Sequence, residues 1–285
     1  MVFYFPILGA VALATGIVIQ RTILKKRKIN IKLFQSTEFL AITVSLLPFI
    51  YFFWKLDTQA FELWNIFIFS LVIIFSLIAN LFTYYSMKGE KVNNLEPAKI
   101  LEPLFIILLA IVFSYLVSET MFERNLKIII PALIAGTVII LSHIKKDHLV
   151  FNKYFIAAII GSFFFALELI ITRLILDFYS PVTFYFLRCS TIFIISFLAF
   201  KPDFKKLNKK VKLEILALGF IWAFYRIIIY YGFLKLGVIF TTLMIMLGPI
   251  FVYLFAWKFL KEKINWKNIV TAFVIIGCVL YAILG

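Results

Sequence analysis

The chain has 285 residues, of which 64% are apolar and only 15% charged, with 29 Lys and Arg against 14 Asp and Glu. A soluble domain is about half apolar and about a quarter charged, so a water-solvated globule is excluded and hydrocarbon must be the solvent for much of the surface. The net charge of +15 does not point to nucleic acid, because no folded domain exists to present a basic groove; the charges lie between apolar runs, where they set orientation and meet anionic headgroups.

A spanning helix takes about 20 mostly apolar residues. Read in chain order, such runs fall at Val2–Gln20, Phe34–Trp54, Leu63–Met87, Ala98–Val117, Leu126–Ser142, Tyr154–Leu174, Pro181–Phe200, Leu213–Leu234, Val238–Leu260 and Asn268–Leu284. They are continuously apolar, whereas barrel strands alternate and are about 10 residues long. The expectation is an all-α, polytopic membrane protein with ten transmembrane helices. The first run lacks a basic leading segment and a small-residue cleavage site, so it reads as a retained helix.

Cys189 and Cys278 sit inside apolar runs and read as small buried residues. His143 and His148 flank Lys145 and Lys146 at a helix end and read as solvated interface residues, not metal ligands. The 35 Phe suit lipid-facing bulk and interfacial anchoring. Walker A, Gly-x-Ser-x-Gly and His-Glu-x-x-His motifs are missing, so neither ATP hydrolysis nor another enzymatic activity is expected, and no cofactor is implied.

The chain repeats itself. Tyr84-Tyr85 and Pro103 recur as Tyr230-Tyr231 and Pro249, both at an offset of 146 (230−84 and 249−103). Glu119 and Asn125 recur as Glu262 and Asn268 at 143 (262−119 and 268−125). Two units are expected, residues 1–148 and 149–285, with five helices each. Five is odd, so the second unit enters the membrane from the opposite face, and such inverted repeats put substrate sites near the midplane at the repeat interface.

Each half ends on a Pro-bearing helix, an acidic residue and a Gly-bearing helix. The first reads EPLFIILLAIVFSYLVSETMFERNLKIIIPALIAGTVIIL and the second GPIFVYLFAWKFLKEKINWKNIVTAFVIIGCVLYAIL. This text resembles the EamA repeat of the drug/metabolite transporter superfamily, as does Phe186–Arg188 opening the seventh helix. The chain departs from the usual Gly-Glu element, having Ser118-Glu119 and Lys261-Glu262, and the second helix carries Ser36 and Glu38 where an Arg is usual. The resemblance implies a ten-helix secondary carrier but no particular substrate, since the family spans amino-acid exporters, sugar-nucleotide and triose-phosphate carriers and lipid-headgroup carriers. Positive charge is concentrated in the odd-numbered loops, including Arg21–Lys32 and Lys201–Lys212. By the positive-inside rule both termini are then outside, whereas the resemblance implies termini inside.

Ionisable residues within spans are costly and mark pathways. Glu168 and Arg188 are equidistant from the turn near residue 178, which places them at one depth as an ion pair, either a gate or a structural lock. The same arithmetic about residue 91 relates Asn80 and Glu102, whose repeat mates are Arg226 and Gly248 (226−80 and 248−102, both 146). Arg226 suits a carboxylate or phosphate. Glu102 suits a substrate amine or a coupling proton. Tyr84 and Tyr230 lie one turn away on the same faces. Pro103 and Pro249 deprive the carbonyls of Lys99 and Ile245 of their donors and read as hinges or static bends. Glu119 and Glu262 read as interfacial.

The expected function is secondary transport of a small polar metabolite by alternating access, with an amino acid or related zwitterion or anion as substrate class. Lipid surrounds the protein, and a proton or other ion supplies coupling. A translocator of lipid or lipid-linked headgroups and a non-transporting membrane scaffold are the other readings.

Overall fold

The computed structural model describes residues 5–26, 29–89, 95, 98–99, 101–117, 122, 124–143, 152–248, 250–251 and 266–284. Pro249, Glu119, Glu262 and His148, singled out above, lie outside the described residues.

Ten α-helices stand among the described residues: α1 Phe5–Arg21, α2 Ile31–Phe53, α3 Leu63–Gly89, α4 Leu101–Leu116, α5 Leu126–His143, α6 Lys153–Arg173, α7 Pro181–Phe200, α8 Lys209–Lys235, α9 Val238–Ile245 and α10 Trp266–Leu284. α1 runs into a π-helical turn, Thr22–Lys26. Six helical stretches, α2, α3, α6, α7, α8 and Phe5–Leu24, are long and apolar enough to cross a bilayer. Short polar side chains start several helices by accepting otherwise orphaned backbone N–H groups. Asn30 caps α2 through Lys32 N at 2.9 Å, Asn152 caps α6 through Tyr154 N and Phe155 N, and Asn208 caps α8 through Val211 N at 2.9 Å. Ser180 caps α7 with Pro181 in the first turn, where a missing N–H costs nothing.

The ninth apolar run corrects the expectation of one continuous helix over Val238–Leu260. α9 stops at Ile245, and Met246 and Leu247 form a turn in which Leu247 N bonds Met244 O at 3.2 Å, an i−3 bond. Ile245 is four residues before Pro249, so its carbonyl has no amide to accept there, and the break falls at that carbonyl. Pro103 lies near the start of α4.

Burial is inside-out. Leu63 is 87% exposed, Tyr51 86% and Phe273 72%, while Glu168 is 0% and Arg188 2% exposed. Large apolar side chains are exposed around the helices while the ionisable Glu38, Glu168, Arg188 and Arg226 face inward, the arrangement that hydrocarbon solvent selects. Exposed Phe52, Trp54, Phe61 and Trp64 flank the α2–α3 connection, where aromatic rings suit the headgroup level.

Much of the helix packing among the described residues survives exchange of each of the first five helices for the one five later. α3 lies along α6 and α1 along α8; α4 lies on α6 and α1 on α9; α2 pairs with α7, α4 with α9 and α5 with α10. Some exchanges are unequal: α2 packs along α8 far more extensively than α3 along α7, and among the described residues α9 packs on α5 and α8 more than α4 packs on α10 and α3. At the α2–α8 crossing a Cβ on Gly219 would lie 2.7 Å from the carbonyl carbon of Ala41. Only glycine permits that backbone approach, the usual device of helix packing in lipid. Gly219→Val is expected to lower stability by about 2–3 kcal/mol through overpacking, read as a drop in melting temperature in detergent; an unchanged melting temperature would contradict this crossing.

Two seals join the halves at opposite ends. After α2 and α6, Asp57 N donates to Phe178 O at 2.8 Å and Ser180 N to Lys55 O at 3.1 Å, while Lys55 N donates to Thr183 Oγ1 at 3.0 Å. At the other end, after α1 and α7, the seal is apolar: Ile23, Leu24 and Ile29 pack with Leu207, Val211 and Leu218.

Candidate functional site

An ion pair moved out of water is retained only where geometry and further hydrogen bonds offset desolvation. Glu168 on α6 is fully buried and faces two cations, Arg188 Nη2 on α7 and Arg226 Nη1 on α8, each 3.4 Å from Oε2. Its other oxygen, Oε1, accepts from Thr172 Oγ1 at 3.3 Å and Tyr230 O–H at 3.4 Å. Arg188 Nη1 donates to the Tyr230 hydroxyl oxygen at 2.9 Å and Nη2 to Ser76 Oγ on α3 at 2.6 Å. The Arg188 guanidinium lies over Tyr185 and that of Arg226 over Phe165, 5.4 and 5.5 Å from the ring centroids. One carboxylate therefore serves two guanidinium groups, and this cluster is net positive. The 3.4 Å contacts exceed the 2.7–2.9 Å typical of a charge-assisted hydrogen bond. Among the described residues Glu168 Oε2 and Arg226 Nη1 have no hydrogen-bond partner.

A second group lies toward the opposite end of the bundle. Glu38 on α2, 2% exposed, contacts the Tyr84 hydroxyl of α3, accepts from Gln20 Nε2 of α1 at 3.4 Å, and lies near the Trp222 side chain of α8. Tyr84 O–H also reaches Asn80 Oδ1 at 2.9 Å. Asn80 Nδ2 donates to Ser76 O at 2.7 Å and Ser76 Oγ at 3.3 Å. Because Ser76 Oγ also receives Arg188, the two groups form one chain: Glu38, Tyr84, Asn80, Ser76, Arg188, Glu168, Arg226.

Asn80, Tyr84, Glu168, Arg188, Arg226 and Tyr230, all named from sequence, thus lie in one network. Glu102, half-buried in the first turn of α4, sits within electrostatic reach of Arg226, Lys99 and Glu168. Pro103 follows it, and Pro249 is outside the described residues. The turn arithmetic relating Asn80 to Glu102 does not yield a pair. α6 packs against both α3 and α4, so α3 and α4 do not form a simple hairpin, and Asn80 turns to Ser76 and Tyr84 instead. Glu168 and Arg188 do meet, with α3 and α8 completing the contact. Sequence reasoning did not assign Glu38, Ser76, Gln20 or Trp222 to the site. The repeat offset of 146 could have found Ser76 and Trp222 (222−76); Glu38 and Gln20 align with Arg188 and Glu168 only at 150 (188−38) and 148 (168−20), shifts for which the sequence holds no signal.

Comparison with known proteins gives the same class. A crystal structure of a protein matches 99% of this chain and 95% of its own, with a TM-score of 0.70 at 15% identity, a likeness of fold. No curated protein matches the sequence. The family model of EamA-like transporters matches residues 152–284. Residues 152–284 are thus similar to EamA-like transporters of the drug/metabolite transporter type, and the chain is an integral multi-pass membrane protein.

Proposed function

We propose that the protein is a secondary carrier for a small metabolite bearing a carboxylate or phosphate, with an amino acid or related zwitterion as the favoured class, working by alternating access between two inverted five-helix halves, 1–148 and 149–285. The observation that carries the reading is the buried, net-positive Arg188–Glu168–Arg226 cluster, in which Arg226 Nη1 faces a carboxylate it shares with Arg188. A substrate oxyanion would supply the second negative charge. The inverted arrangement is supported by the exchange pattern of helix packing and by the matched positions Gln20/Glu168, Glu38/Arg188, Asn80/Arg226 and Tyr84/Tyr230.

In this reading Arg226 holds the anionic group and Glu102, beside it, receives a substrate amine. Asn80, Tyr84 and Tyr230 position the substrate. Glu168 and Arg188 form the pair that opens and closes with transport, and Pro103 and Pro249 act as hinges. A gradient of protons or another ion drives the cycle. The looser α3–α7 seam favours one further reading, in which a lipid headgroup enters sideways.

Thermal unfolding in detergent against amino acids, dicarboxylates, phosphate esters and phospholipid headgroups tests this. A member carrying an oxyanion is expected to stabilise the protein by about 2.7 kcal/mol at a hundred times its Kd. Stabilisation only by headgroups would shift the assignment to lipid transport. Stabilisation only by cations would refute the arginine site.

A further inference from the structure

The Glu38 group is the repeat counterpart of the arginine cluster with its charge inverted. Arg188 donates to Tyr230 and Ser76; at the matched positions Glu38 contacts Tyr84 and lies near Trp222. Glu168 faces Arg188, and its mate Gln20 faces Glu38. The resemblance ends at charge. In the arginine cluster Glu168 offsets one of the two positive charges. Among the described residues Glu38 has no cationic partner: α1 offers Gln20, α3 offers Tyr84, and α8 offers Trp222. From α7, Tyr185 and Cys189 face Tyr84.

Counting protons along the network decides the state of Glu38. Tyr84 has one O–H but lies within bonding distance of two oxygens, Glu38 Oε2 and Asn80 Oδ1. Asn80 cannot be turned to relieve this, because its Nδ2 donates to the carbonyl of Ser76 at 2.7 Å. Its Oδ1 therefore faces Tyr84 and requires a donor. If Tyr84 gives its proton to Asn80, the close contact with Glu38 requires a proton on the carboxyl, which then donates to the Tyr84 oxygen. If Glu38 is ionised, Tyr84 must turn its O–H to the carboxylate, and the buried Asn80 oxygen loses its donor.

We infer that Glu38 is a proton-binding site, and that its occupancy is passed to the arginine cluster through Tyr84, Asn80 and Ser76. The proton comes from water and rests on a Glu38 carboxyl oxygen; no other bond forms or breaks except hydrogen bonds. In the protonated state Glu38, Tyr84 and Asn80 donate in turn toward Ser76, and Ser76 Oγ accepts both from Asn80 Nδ2 and, from the other side, from Arg188 Nη2. Loss of the proton reverses Tyr84, frees Asn80 and weakens the Ser76 anchor of Arg188. This adds a specific coupling residue to the transport reading, and its link to anion binding rests on that reading; the proton site itself does not.

The test uses the full-length protein in lipid nanodiscs with no added solute. Infrared difference spectra across a pH titration are expected to show the carbonyl stretch of a buried protonated carboxyl that vanishes at alkaline pH. The band should be missing in Glu38→Gln, displaced in Glu38→Asp and in Tyr84→Phe, and retained in Glu102→Gln. A band that survives Glu38→Gln, or that is lost only in Glu102→Gln, overturns the proton site. Thermal stabilisation by acetate and by inorganic phosphate then tests the relay. In the wild type the apparent affinity is expected to change about fivefold or more across the range in which the band disappears, the lower end of typical site–site coupling, and Glu38→Gln should abolish the change. Equal stabilisation on both sides of that range overturns the relay. Absence of stabilisation at any pH, with the infrared band behaving as expected, refutes the arginine anion site and the relay to it, and supports the proton site alone.

Discussion

Glu168→Gln is expected to be the most damaging single substitution among the network residues. The change removes the one carboxylate between Arg188 and Arg226 and leaves two guanidinium groups buried near each other. Breaking a buried pair by removing one partner costs about 3–5 kcal/mol, and here a single deletion strands two charges. It also replaces the acceptor used by Thr172 and Tyr230 with a neutral amide. The measurement is melting temperature and folded yield in detergent. The double variant Glu168→Gln/Arg188→Gln should recover part of the loss, because it removes one of the stranded cations; such non-additivity is the signature of residues acting as a unit. A loss under about 1 kcal/mol, the range of exposed pairs, would mean that water reaches the arginines and that the cluster is not buried as described.

Arg226→Ala is expected to do the opposite: large loss of transport with modest loss of stability. Removing Arg226 leaves Glu168 paired with Arg188 alone, so the cluster passes from net positive to neutral and no charge is stranded. What disappears is the guanidinium available to a substrate oxyanion. Truncating one partner of a buried charge pair costs about 2–5 kcal/mol, so flux into proteoliposomes of a solute identified by thermal stabilisation should fall about 100-fold or more. Arg226→Lys should restore the charge but only part of the flux, since an ammonium cannot make the two-pronged contact of a guanidinium. Unchanged flux in Arg226→Ala alongside a normal melting temperature would remove Arg226 from the substrate site.

Much of this organisation was legible in the sequence because hydrocarbon simplifies the reading. Apolar runs separated by charges locate helices without knowledge of tertiary structure, and an ionisable residue inside such a run must face inward. That logic led to Glu168, Arg188 and Arg226. Depth was also readable, since residues equidistant from a turn share a level. Lateral neighbours were not. The sequence alone suggests that α3 lies beside α4, whereas α6 packs against both, and the expected Asn80–Glu102 proximity gave way to Asn80–Ser76 and Asn80–Tyr84. The ninth span showed the limit of hydropathy: Val238–Leu260 is predominantly apolar, but the backbone hydrogen-bond pattern breaks after Ile245. Glu38 was visible only as a departure from a familiar pattern. Its significance needed a partner assignment, and Ser76 and Gln20 carry no charge to draw attention to them.

The closures at the two ends of the bundle differ in chemistry, and a carrier that opens alternately to its two sides would inherit that difference. Unlatching Lys55 and Asp57 from Phe178, Ser180 and Thr183 means exchanging directional amide bonds for bonds to water. Parting Ile23, Leu24 and Ile29 from Leu207 and Val211 means wetting oily surface, a process that becomes easier in the cold. Temperature would therefore tilt the resting balance between inward- and outward-facing forms, with chilling favouring exposure through the greasy mouth.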